Sequence, residues 1–307
     1  MDVGNMMWWG FGDAPIQPHT DLTNLTDHPM KLKEILSPSF RVYKVSHPTA
    51  ILWQRCVSIR SQFCEAVVSA GYLSWEQMVS AACRYRLGAS KNGGVIFWQI
   101  DQEERVRDGK VMYYGADCHR LKDKDHNPTW VSALLRKRDP FPHSPHSTSH
   151  CLFGAHLLET YPRPLPKMEG SRYTHGKNSA DEHFTPLHHR EGQGGRSPIA
   201  VVEAEKTAVI MSEHYPQYIW LATGGLGEVQ VDKFRPLRGH RVIMFPDTDP
   251  EGIAFKRWYD AAVLVMQQPF WEDSPPIRVS PLLEIHASYS QKVAKIDLVD
   301  FLFPRPS

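Results

Sequence analysis

Three short runs in the last third of the chain carry most of their residues as apolar side chains: Ile199–Val202, Tyr218–Ala222 and Arg241–Phe245. Turn residues bound each run, and helical or loop segments separate them. Runs of that length without a polar face suit strands buried on both sides of a parallel sheet. After them, Ala254, Trp258, Ala261, Ala262 and Val265 fall at helical spacing, which predicts an amphipathic helix over Ile253–Gln267. Pro276–Ile285 reads as a fourth strand.

The earlier chain has a different pattern. Apolar positions near helical spacing predict a helix within Pro48–Gly71 (Ile51, Leu52, Cys56, Ile59, Phe63, Val67, Val68), with Gly71 as its stop. Ser74 with Gln77 three residues on is a capping-box signature for a second helix, from Trp75 to about Leu87. Two helices around a glycine turn are compatible with a helix-turn-helix, but ordinary helix packing is the reading the pattern favours. Val95–Ile100 and Lys110–Tyr114 then read as two strands around the polar turn Asp101–Gly109, and Trp130–Lys137 as a short basic segment. The fold expected is an α/β domain over 198–307, with a mainly parallel four-stranded sheet, preceded by an α+β module over 48–159. Residues 1–47 lack periodicity. Residues 160–197 are rich in Pro, Gly, His and charge and read as a loop or linker.

The polar residues of interest directly follow the three apolar runs. Glu203 follows the first, Thr223-Gly224-Gly225 the second, and Asp247 and Asp249 the third. In an open α/β sheet, ligands bind at the carboxyl ends of the strands. Carboxylates gathered there repel one another, and a hard cation relieves that repulsion. Mg²⁺ takes oxygen ligands, often one or two carboxylates completed by water and substrate phosphate. The pattern therefore points to metal-assisted phosphoryl or nucleotidyl chemistry.

A glutamate ending the first strand within V-V-E-A-E-K-T-A, a glycine turn, and a later apolar strand ending P-D-T-D-P-E-G resemble the Toprim domain, and most of all the primase-like Toprim proteins of phages and bacterial mobile elements. The resemblance covers about the last third of the chain. It implies a Rossmann-like fold and a site binding Mg²⁺ or Mn²⁺ through Glu203, Asp247 and Asp249. Glu203 would also take part in acid/base work. Lys206 matches a basic residue frequent in the primase-like branch. Lys206 and the amides of Gly224 and Gly225 are candidates for touching phosphate or nucleotide, and Gly252 matches the glycine opening the next helix. Asp297–Leu302 resembles the short helix that ends such domains. G-V-I-F-W-Q-I-D and V-R-D-G-K-V-M-Y-Y resemble a β-rich segment found upstream of the core, and His150–Glu159 the short apolar element just before it.

Charge adds one local feature. The formal net charge is +1 over 307 residues, so no overall polycation marks a nucleic-acid partner. Arg105, Arg107, Lys110, Arg120, Lys122 and Lys124 nevertheless bias one region, interleaved with Phe97, Trp98, Tyr113 and Tyr114. Basic and aromatic residues together suit single-stranded DNA, through phosphate attraction and base stacking. A hairpin with a solvated charged face and a packed aromatic face has the same pattern.

The remaining composition mostly narrows the field. The five cysteines form no C-x-x-C pair, which argues against a zinc ribbon or disulfide framework. The histidines at 143, 146, 150, 156, 175, 183, 188 and 189 match no tight ligand spacing and read as incidental. No apolar run approaches the roughly 18 residues of a membrane span, and the first residues lack a signal-peptide pattern, so a cytoplasmic protein is expected. Gly224–Gly227 lacks dinucleotide-binding spacing, and no phosphate-binding loop of an ATPase is present. An Asp-x-Asp after a strand also occurs in haloacid-dehalogenase-type phosphatases, but too little chain follows Asp249 for that domain. Three functions stay open: primase-like nucleotidyl transfer, cleavage by the same carboxylates, and a non-catalytic DNA-binding scaffold working with a replicative helicase or other replication protein of a mobile element.

Overall fold

The computed structural model describes residues 58–138, 150–160 and 197–304. The expectations for 1–47, for nearly all of 160–197, for the first part of the Pro48–Gly71 helix and for six of the eight histidines lie outside those residues. The described residues form two compact units. One holds the residues up to Trp98 together with those from Glu104 to 138; the other holds Gln99–Glu103 and the residues from His150 onward.

In the first unit, α1 spans Gln62–Ser69 and α2 spans Trp75–Tyr85. The α1 helix starts later than the pattern predicts, leaving Ile59 outside it. The reason lies in the backbone: Ser58 N–H donates to Leu87 and Gln62 N–H to Gly93, so this stretch is tied to neighbouring chain rather than to a helical ladder. Gly71, at φ +75°, makes the left-handed exit from α1. Ser74 and Gln77 form the reciprocal capping box at the start of α2. Gly88–Ala89 (β1), Val95–Ile100 (β2), Val106–Met112 (β3) and Thr129–Trp130 (β4) make a sheet in that order, followed by α3 (Val131–Arg138). β3 begins four residues before the expected Lys110, inside what reads as a turn. Val106 and Asp108 are buried, and Gly109 lets the strand pass against the Trp98 ring, where a Cβ would stand 2.7 Å from ring carbons.

In the second unit, Phe153 precedes α4 (Leu157–Thr160) and exchanges two backbone hydrogen bonds with Ala222 at the sheet edge. The three apolar runs become β5 (Ile199–Val202), β6 (Ile219–Ala222) and β7 (Val242–Phe245), with α5 (Glu205–His214) between the first two. α6 (Ile253–Met266) follows and buries the five positions predicted from its periodicity. Then come β8 (Arg278–Val279), α7 (Leu282–His286), α8 (Tyr289–Ala294) and α9 (Leu298–Leu302). The sheet has the order β6-β5-β7-β8, and each neighbouring pair is parallel. The expected strand over Pro276–Ile285 shrinks to two residues. Pro281 donates no amide to a ladder and stands directly before a helix, where proline is tolerated. Leu282 and Leu283 are buried from α7 instead. Among the described residues no helix is long and apolar enough to cross a membrane.

Candidate functional site

The register of the parallel sheet sets the site. Val202 pairs with Ala222 on one side and Phe245 on the other, so three strands end level. The residues that leave the sheet there are Glu203, Thr223 and the Pro246-Asp247 pair. The ladder continues one step beyond β6: Thr223 N–H donates to the Val202 carbonyl (3.0 Å) and Gly224 N–H to the Glu203 carbonyl (2.9 Å). Glu203 is thereby fixed in the backbone at the end of β5, between the glycine turn and β7.

Asp247 has an unusual environment. It keeps partial solvent contact, yet protein surrounds its carboxyl as densely as in an interior. It makes no hydrogen bond or ion pair among the described residues. Desolvation, then the Glu203 carboxylate, then Asp297, hold its proton affinity well above the usual carboxylate range; Lys206 pulls the other way, and Asp300 adds to the rise. Desolvation and crowding by like charge together account for the direction of that shift.

Asp249, two residues on, is committed elsewhere. Its Oδ1 accepts from the amides of Glu251 (3.0 Å) and Ile253 (3.1 Å), and its Oδ2 from the amide of Ala254 (2.7 Å). Burial opposes ionisation here, but these backbone donors outweigh it and hold the carboxyl below its ordinary value. Gly252, at φ +68°, lets the chain double back so that the first amides of α6 face this carboxylate. Asp249 therefore serves as the cap of α6, and the expected convergence of Glu203, Asp247 and Asp249 is not observed. Among the described residues, no group of three or more His, Cys, Asp and Glu side chains is arranged to hold a metal.

Two phosphate candidates are also occupied. Lys206, in the first turn of α5, is buried, and its ammonium pairs with Asp297 Oδ2 at 3.0 Å and Asp300 Oδ1 at 3.5 Å. An ammonium held by two carboxylates has little left for a phosphate. The Gly224 amide is used by the Glu203 carbonyl, while the Gly225 amide has only a long 3.5 Å contact to Thr223 Oγ1. Space around Gly225 is open, with nothing within 4 Å of where its Cβ would be.

Asp297 and Asp300 are the residues that sequence reasoning missed. Asp297 caps α9, accepting from Asp300 N–H (2.9 Å), and takes a hydrogen bond from the Thr207 hydroxyl (2.8 Å). Burial works against its ionisation, but Lys206 leads the interactions that hold its carboxyl low. The signal was present as Asp-x-x-Asp before an apolar pair, a capping box that reads as helix punctuation alone.

In the first unit, Arg105, Arg120 and Lys122 are exposed, while Arg107 and Lys110 are half-buried. Strand alternation puts Arg107 and Lys110 on opposite faces of β3, so they do not share one basic surface. The aromatic residues between them are core. Phe97 and Trp98 are fully buried and Tyr113 and Tyr114 nearly so, with Phe63, Phe97 and Tyr114 in mutual ring contact at 4.9–6.4 Å. The expectation of an open base-stacking platform is overturned: those rings are spent on the hydrophobic core, which α1 completes.

A family model described as a domain of unknown function (DUF6371) matches residues 61–166 and 187–248, more than half of the chain. No curated protein matches. Among solved structures, the primase fragment of the bacteriophage T7 primase-helicase protein aligns at 14% identity and a TM-score of 0.32, over 70% of this chain. The alignment spans 59% of that fragment.

Proposed function

Because this chain belongs to the DUF6371 family, whose description assigns no activity, we propose its function from the strand-end site: a primase-like Toprim protein that binds Mg²⁺ or Mn²⁺ and acts on nucleic-acid or nucleotide phosphate during replication of a mobile element. Asp247 carries this reading. It is a desolvated carboxylate without a protein partner among the described residues, standing at the level end of a parallel sheet and within electrostatic reach of Glu203. Such a group is costly unless something positive joins it.

The donor chemistry fits a hard cation held by two carboxylates, Glu203 and Asp247, with water and substrate phosphate as the other ligands. Bound there, the cation supplies charge neutralisation at a transferring phosphorus. The chain's own residues do the rest. Glu203, fixed by the Gly224 hydrogen bond, presents its side chain from a rigid strand end. Asp249 holds the start of α6 against the loop that carries Asp247. The exposed Arg105, Arg120 and Lys122 contribute positive charge toward single-stranded DNA, through phosphate attraction and without base stacking. A helicase or other replication protein of the same element is the expected partner.

One observation favours the second reading, a non-catalytic DNA-binding scaffold: Asp249 is spent on a helix cap, so the third carboxylate is missing from the set. Cation titration decides between them. Calorimetry with Mn²⁺ on the wild type, Glu203→Gln and Asp247→Asn, each with and without a single-stranded oligonucleotide, should show binding that both variants lose and DNA strengthens. Oligonucleotide binding without cation binding would leave the scaffold.

A further inference from the structure

The segment from Ile296 to Phe303 is tied to the strand-end loop and to α5 by a series of contacts. The Ile296 carbonyl accepts from Thr248 N–H at 3.3 Å, between the two aspartates of the strand-end loop. Asp297 then takes the Thr207 hydroxyl and the Lys206 ammonium on one oxygen, while its other oxygen caps α9. Asp300 adds a second carboxylate to Lys206. At the far end of α5, the Phe303 ring stacks on His214 at 4.2 Å between centroids. The segment thus follows α5 from its first turn to its last.

The central question is where a buried ammonium goes. Lys206 and Asp297 each leave only 8% of their side chains exposed. A buried ammonium must be paired, and Asp247, which feels the Lys206 charge, is an obvious alternative partner. Asp297 is the better competitor because it is already fixed. Its cap and the Thr207 hydroxyl hold its rotamer, so pairing costs little further ordering.

Resting on the cation site proposed above, we propose that Asp297 and Asp300 are positioning residues that hold the Lys206 ammonium on the C-terminal helix and so leave the Asp247 carboxylate open to a divalent cation. A lysine released from that hold is an internal cation tethered beside the site, competing with the metal at very high local concentration.

The test uses the full chain, Mn²⁺ alone as the probe, and two variants. Asp297→Asn/Asp300→Asn removes both charges but keeps a side chain able to cap α9. Lys206→Met removes the competitor and leaves the aspartates. The double variant should bind Mn²⁺ about tenfold or more weakly, as expected for a new ion pair at Asp247 in a partly desolvated site. Lys206→Met should bind at least as tightly as wild type. A crystal structure of the double variant supplies a readout that does not depend on metal. Lys206 Nζ is expected within about 4 Å of an Asp247 oxygen, the ion-pairing range. Unchanged Mn²⁺ affinity in the double variant, weaker binding in Lys206→Met, or a Lys206 that stays with residue 297 or turns to solvent would each overturn the proposal. Wild type failing to bind Mn²⁺ would count against the cation site itself, while the position of Nζ would still decide whether the aspartates hold the lysine.

Discussion

Asp108 in the first unit and Asp247 in the second are both carboxylates taken largely out of water, but the chain treats them in opposite ways. Asp108 has no exposed surface, and its oxygens accept from Gly109 N–H (2.7 Å), Ser132 N–H (3.0 Å) and the Ser132 hydroxyl (2.5 Å). It joins β3 to the first turn of α3 and satisfies amides that a helix start otherwise leaves open. Asp247 keeps some contact with water, and the charges it feels are those of Glu203, Asp297 and Asp300, opposed by Lys206. A buried charge surrounded by donors stabilises a fold; one surrounded by like charge destabilises it and persists for another reason. The contrast separates an aspartate whose charge the fold satisfies from one whose charge it leaves among like charges.

The largest effect expected is at the architectural end. Asp108→Ala strips three donors of their acceptor inside the core and should cost about 3 kcal/mol, read as a lower urea midpoint. A variant with the wild-type midpoint would remove the contrast altogether. The neighbouring position sharpens it. In Gly109→Ala the new methyl meets the buried Trp98 ring and the Ile96 side chain, neither of which has room to move, and overpacking of that kind costs about 2 kcal/mol. The same denaturation series checks it.

Asp249 lies between the two extremes. It belongs by sequence to the functional edge, but its hydrogen bonds are those of Asp108. Asp249→Ala should therefore lose about 1 kcal/mol, the usual size of a helix cap, and lower Tm. Mn²⁺ affinity should fall far less than in Asp247→Asn. An equal loss of metal binding in both variants would place Asp249 in the cation site as well as at the helix cap.

These particulars show what the sequence could disclose. β5, β6, β7 and α6 were legible because burial on both sides, or on one helical face, leaves a periodic record in residue type. The Ser74–Gln77 box and the Gly71 exit were legible because capping is local. The cap role of Asp249 was not legible because Asp-x-Asp has the same appearance whether its second carboxylate faces a cation or the amides of Ile253 and Ala254. The ion pairs of Lys206 were not legible because Asp297 and Asp300 lie far along the chain, and no local pattern encodes a contact of that range. The Phe97–Tyr114 aromatics matched a stacking platform in composition, and only the packing of Phe63 against them decides that they are core. The early start of β3 was hidden by Arg105 and Arg107, whose charges read as turn although Val106 and Asp108 face inward.

The smallest change in stability should come from Asp247→Asn, and its sign is the sharpest test of the contrast. A carboxyl whose proton affinity is raised on folding is better accommodated protonated. Its favourable contribution is complete below the unfolded-state value of 3.8 and is lost as pH rises through the higher folded-state value. Wild-type Tm should therefore carry a component that falls with increasing pH above 3.8. Asp249 and Asp297, held low, contribute in the opposite sense: their stabilisation is present above the unfolded value and disappears as pH drops through the folded one. Asn at 247 cannot ionise, so the variant should lose the falling component, keep the acid-side loss, and melt slightly higher than wild type at neutral pH without divalent cation. Adding Mn²⁺ should raise wild-type Tm and leave the variant unchanged, because only a protein that binds the ion in its folded state gains from it. A variant that melts lower than wild type at neutral pH would mean that Asp247, like Asp108, is there to hold the fold together.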